Sequence, residues 1–112
     1  MIEVGWEERW EPVCHVAQLK EGRLIERLIK STLILLAWYD EGPWAGSGLC
    51  PHQFARLSEG WIQSDRLHCA RHQASFCMRS GDPDDRWQIN GIKLYRTRIN
   101  DEIVEVNLDD PA

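Results

Sequence analysis

Apolar and polar residues alternate in short runs along this chain, and turn formers interrupt them at close intervals. A period of two marks half-buried strands, because successive side chains of a strand point to opposite faces. Leu24–Lys30 and Thr32–Tyr39 read as a hairpin around Lys30-Ser31. Lys93–Ile99 and Ile103–Leu108 read as another, turning at Asn100-Asp101, with Ile103, Val104 and Val106 set against Glu102, Glu105 and Asn107. Trp61–Gln63 and Arg66–His68 are two shorter strands joined at Ser64-Asp65, and Ala74–Met78 is a further one. Between these, Asp40–Gly48 carries three glycines and a proline and is expected to break regular structure. Val13–Leu19 has room for a short helical turn, Arg79–Asp85 reads as a loop, and Asp109–Ala112 should fray. The prediction is one all-β domain over residues 1–112, with a loop-rich lobe inserted at about residues 47–76.

Composition narrows the setting. The 112 residues suffice for a hydrophobic core without disulfide staples. The longest apolar run, Leu33–Trp38, is far too short to span a bilayer, and Met1–Glu8 shows no basic and apolar leader pattern. A cytoplasmic monomer with no membrane association is the expectation. The net charge of −5, from 13 basic and 18 acidic residues, disfavours a nucleic-acid surface and suits a partner that is electropositive around its docking site. No nucleophile–base spacing, phosphate-binding glycine loop or dinucleotide fingerprint is present, so no catalytic set is expected.

The chemistry concentrates in two mixed pairs. Cys50-Pro51-His52 is followed, after sixteen residues, by Cys69-Ala70-Arg71-His72. Each pair offers one thiolate and one imidazole from a single loop. That set suits a [2Fe–2S] cluster with Cys50 and Cys69 on one iron and His52 and His72 on the other. A mononuclear zinc site is the rival, although zinc fingers usually pair like ligands. Cys14 and Cys77 sit among apolar residues and read as buried structural thiols. His15 and His68 have no partner spacing and read as ordinary surface or core residues. Trp6, Trp10, Trp38, Trp44, Trp61 and Trp87 read as core or partly buried, with Trp44 placed to shield the metal centre or touch a partner. Asp82, Asp84 and Asp85 read as a solvated loop, with a docking surface as the second reading.

On these residues the chain resembles Rieske-type ferredoxins, and especially the ferredoxin components of bacterial aromatic-ring oxygenases. Trp10–Cys14 is similar to the family's first strand, and Cys50-Pro51-His52-Gln53 with Leu57-Ser58-Glu59-Gly60 to its first cluster loop. Cys69-Ala70-Arg71-His72 with Phe76 resembles the second loop, and Ser80-Gly81-Asp82-Pro83 the proline-bearing third. The resemblance implies an antiparallel β-sandwich with a small cluster-binding lobe. It implies a non-catalytic carrier of one electron, taken from an NAD(P)H-dependent flavoprotein reductase and passed to a terminal dioxygenase or monooxygenase. A Rieske-like small subunit of an enzyme such as nitrite reductase is the alternative, and a zinc-binding interaction module is a further one.

Gln73 and Ala70 depart from the glycine and proline common in the second loop. Ala55 and Arg71 stand where membrane-bound relatives have a disulfide, and Ala74 and Phe76 where those relatives have hydroxyls. Fewer hydrogen bonds to the cluster sulfurs imply a potential on the order of −150 mV, at the low end of the Rieske span.

Overall fold

A computed structural model of the chain describes residues 9–51, 55–71, 74–84 and 90–111. Trp6, His52, Gln53, Gln73, Asp85 and Trp87 lie outside them. In chain order the elements are β1 (Glu11–His15), α1 (Val16–Lys20), β2 (Ile25–Ile29), β3 (Thr32–Tyr39) and β4 (Gly42–Ser47). A 3-10 turn (Leu57–Glu59) precedes β5 (Trp61–Gln63), β6 (Arg66–His68), β7 (Ser75–Cys77), β8 (Leu94–Asn100) and β9 (Ile103–Pro111).

The apolar run in β3 is continuous because that strand is buried on both faces. Ile34 and Leu36 point into one core with Val13, Leu19, Ala45, Tyr95, Val104 and Val106. Leu35 and Ala37 point the other way, into a second core with Trp44, Leu57, Leu67, Phe76 and Met78. A six-stranded antiparallel sheet, ordered β1-β9-β8-β4-β3-β2, encloses the first core. Its two edge strands are brought close: Arg27 on β2 donates to the Val13 carbonyl on β1 at 3.0 Å, and Lys30 pairs with Glu11 at 2.9 Å. The sheet is therefore almost a barrel. A three-stranded sheet, β5-β6-β7, supplies Leu67 and Phe76 to the second core, against the large sheet's outer face. The all-β, antiparallel layered fold read from the sequence is present.

Four two-residue turns build the hairpins, with positive φ at both positions of Lys30-Ser31, Asp40-Glu41, Ser64-Asp65 and Asp101-Glu102. Turns of this kind match the right-handed twist of the strands they join. The last lies one residue beyond the expected Asn100-Asp101, because Asn100 still pairs with Ile103.

Two other expectations are corrected. Residues 42–47 form strand β4, paired along its length with β3 and at Ala45 and Gly46 with β8. The glycine signal there means close packing instead of a break: a Cβ on Gly46 would lie 2.6 Å from the Trp44 ring. Nor does the tail end at Leu108, since β9 runs to Pro111 and pairs it with Tyr95 past a bulge. The helical turn predicted over Val13–Leu19 is α1. His15 caps it, Nδ1 accepting from the Ala17 N–H at 3.0 Å while Gln18 Oε1 accepts from the His15 N–H.

Candidate metal centre

The chain leaves the large sheet after Ser47 and rejoins it at Leu94, and the metal-ligating candidates lie on this excursion. Its two ligand loops share one construction. The Cys50 N–H donates to the Ala55 carbonyl at 2.7 Å, and the Cys69 N–H donates to the Ala74 carbonyl at 2.8 Å. Each loop is thus six residues long, begins with a cysteine and is closed by that cysteine's amide. Both are extended by antiparallel pairs outside the closure, Leu49 with Arg56 and His68 with Ser75. His52 and His72 belong to these loops by sequence and lie outside the described residues.

Cys50 and Cys69 are fully buried, in the same core as Leu35, Trp44, Ala55, Leu57, Ala74 and Phe76. Neither is in a disulfide. Two buried thiols at matching loop positions, each with an imidazole two or three residues on in sequence, make a donor set that fits a mixed-ligand iron–sulfur group. Among the described residues alone, no group of three or more His, Cys, Asp or Glu converges on one point.

Trp44 lies in the core that holds both thiols, its Nε1–H donating to the Met78 carbonyl at 2.7 Å. Its side chain is buried, which disfavours the partner-contact reading of this residue. The exposed tryptophan is Trp61, whose half-exposed ring stacks on His68 with centroids 5.2 Å apart. That corrects the expectation of burial for Trp61 and places the stack beside Cys69. A methyl group at Gly60 would fall 1.8 Å from the His68 carbonyl, so glycine is required for the approach. Trp10 and Trp38 are partly buried, as expected.

The third loop folds onto β7 through a bridge between Phe76 and Pro83 and a bond from the Asp84 N–H to the Ser75 carbonyl. Gly81 has φ near +82° and its carbonyl accepts from the Ile92 N–H at 2.9 Å, a contact a Cβ would obstruct. Asp82 is exposed and Asp84 partly buried. Ala74 and Phe76 are fully buried and carry no hydroxyl. The nearby Ser75 hydroxyl is engaged by Arg66, whose Nε–H donates to it at 2.7 Å.

Of the remaining thiols, Cys14 is buried as expected, and burial pushes its pKa up, with Arg27 opposing. Cys77 is only partly buried, which corrects its reading as a core thiol. Hydrogen bonds from the Ser80 side chain and the Arg79 amide lower its pKa. Burial misled here because Cys77 ends β7 where the chain turns outward.

Sequence reasoning missed Glu26. From β2 its carboxylate accepts from Arg56 Nε at 3.1 Å, from the second Arg56 nitrogen and from the Ser58 hydroxyl at 2.8 Å. The Arg56 hydrogen bond is the main cause of a lowered pKa, against the opposing pull of burial. No local pattern marks a pair thirty residues apart.

A family model for the Rieske [2Fe–2S] domain matches residues 9–96. The chain is 29% identical over 99 residues to the anthranilate 1,2-dioxygenase ferredoxin subunit of Burkholderia cepacia, covering 88% of this chain and 92% of that one. Among solved structures, a ferredoxin from Sphingomonas yanoikuyae B1 superposes with a TM-score of 0.80 at 24% identity, over 88% of this chain and 98% of that chain. The ferredoxin of carbazole 1,9a-dioxygenase from Nocardioides aromaticivorans IC177 gives 0.79 at 22% identity, over 88% and 96%. These two likenesses show the fold.

Proposed function

This chain belongs to the Rieske [2Fe–2S] domain family, and on that premise we propose that it is the electron-transfer ferredoxin of an aromatic-ring oxygenase system, with Cys50, His52, Cys69 and His72 as cluster ligands. When bound, the cluster supplies a single one-electron redox centre. The observation that carries the reading is the pair of buried thiols heading two loops closed by the same hydrogen bond. The protein's own contribution is to fix those loops and exclude water. Ala55, Leu57, Ala74 and Phe76 share the core with both thiols and wall them off from solvent.

The partners we propose are a flavoprotein NAD(P)H reductase and a terminal oxygenase. The 29% identity to the anthranilate 1,2-dioxygenase ferredoxin subunit, over most of both chains, supports this. A cytoplasmic monomer is the accompanying proposal; among the described residues no helix is long and apolar enough to cross a membrane.

The test is chemical analysis and spectroscopy of purified protein. Two irons and two acid-labile sulfides per chain are expected, with an EPR spectrum of a mixed-ligand cluster on reduction. His52→Cys should convert that signal toward the all-thiolate type. A colourless protein holding one zinc and no sulfide would overturn the assignment.

A further inference from the structure

The two ligand loops are not tied to each other covalently, since residues 55 and 71 are Ala and Arg and no described cysteine is in a disulfide. Instead they are linked through charge. Arg56 directly follows the loop-closing Ala55, and its guanidinium forks onto the carboxylate of Glu26 on the large sheet. Ser58, in the 3-10 turn, donates to the same carboxylate at 2.8 Å. One residue further, Glu59 pairs at 3.4 Å with Arg71, which lies in the second loop between Cys69 and His72. A single ladder of alternating charge thus runs from the large sheet to the base of the first loop and across to the second.

We propose that this ladder is an ionic clasp: Glu26–Arg56 anchors the first ligand loop, Glu59–Arg71 ties the second to it, and together they set how tightly the cluster is held. Resting on the cluster assignment above, it makes Glu26, Arg56 and Arg71 positioning residues. The two rungs differ in shielding. The arginines are similarly exposed, Arg56 at 60% and Arg71 at 65%, but the Glu26 carboxylate is only 14% exposed against 46% for Glu59. Salt therefore screens the outer rung more than the inner one, whose carboxylate is the better shielded. The inner rung also gives a partly buried carboxylate three hydrogen bonds, so removing its charge or its fork weakens all of them together.

The experiment measures iron loss from the holoprotein to a bathophenanthroline chelator, at a temperature where circular dichroism shows each variant folded. Glu26→Gln should release iron about tenfold faster than wild type, a factor set by one charge-assisted bond in a partly shielded site. Arg56→Lys, which keeps the charge and loses the fork, should fall between. Arg71→Ala should give about a twofold increase at 50 mM salt and none at 1 M, where the pair is already screened. The exchanged pair Glu26→Arg with Arg56→Glu should return most of the retention, which a purely steric role would not allow. Should Glu26→Gln fold poorly, the exchanged pair decides: recovery supports the clasp, and no recovery overturns it. Iron-loaded wild type with unchanged release in both Glu26→Gln and Arg56→Lys overturns the clasp alone. Wild type without iron and sulfide overturns the cluster assignment and the clasp with it.

Discussion

Tyr39 shows how one side chain joins the two sheets. It ends β3, and its hydroxyl donates at 2.7 Å to Asp65 in the turn between β5 and β6. That hydrogen bond, with desolvation second and Arg79 opposing, pushes its pKa up to about 12. A raised pKa means that the bond's contribution is complete below the ordinary phenol value near 10 and is lost as pH climbs toward 12. Tyr95 is the other tyrosine, and burial raises it too, so the measurement uses Tyr95→Phe, which leaves one phenol. An ultraviolet absorbance titration of that variant should show no phenolate step around pH 10. Adding Asp65→Asn should bring the step down, and a midpoint near 10 with Asp65 intact would refute the interaction. At this scale the thiols were legible because C-x-H and C-x-x-H need only local spacing to be recognised. Glu26, Trp61 and Cys77 were not, because their roles depend on which strands lie beside them.

At the level of elements, the hairpins are well specified, yet their turns carry strain. All eight turn positions hold non-glycine residues at positive φ, each costing about 1 kcal/mol relative to glycine. Glu41 is exposed at the second position of the β3–β4 turn, with φ 62°. Glu41→Gly should stabilise the fold by about 0.5–1 kcal/mol, less than the full strain because glycine also frees the unfolded chain. That corresponds to a rise of roughly 2–4 °C in thermal midpoint for a domain of this size. The same change at Glu102 should gain less, because it removes the carboxylate that His15 Nε2 meets at 3.2 Å. Equal or opposite effects in calorimetry would contradict this account. The short strands around Ser64-Asp65 could be read from alternation and turn residues. β4 could not, since Gly42, Pro43 and Gly46 signal a break when the neighbouring Trp44 ring is unseen.

The whole molecule imposes its charge on the electron it carries. Strand neighbours such as β1 beside β9, and the near-closure through Arg27, were not legible, since pairing across ninety residues leaves no local trace. Net charge was, at −5. With Cys50 and Cys69 as the proposed ligands, two thiolates would neutralise an oxidised Fe₂S₂ core, so the loaded protein would keep that charge and reduction would add one more negative unit. Repulsion from the rest of the molecule therefore lowers the potential. The absence of hydroxyls at Ala74 and Phe76 acts in the same direction, which keeps the expected midpoint on the order of −150 mV. Salt weakens the repulsion felt by the reduced state more than by the oxidised one. Between 0.01 M and 1 M salt, where the Debye length shrinks from about 30 Å to about 3 Å, the midpoint should rise by about 20 mV. Protein-film or mediated titrations at fixed pH would read it directly. A midpoint well above zero would remove the hydrogen-bond argument, and one that falls with added salt would show that local positive charge near the cluster outweighs the net charge of the molecule.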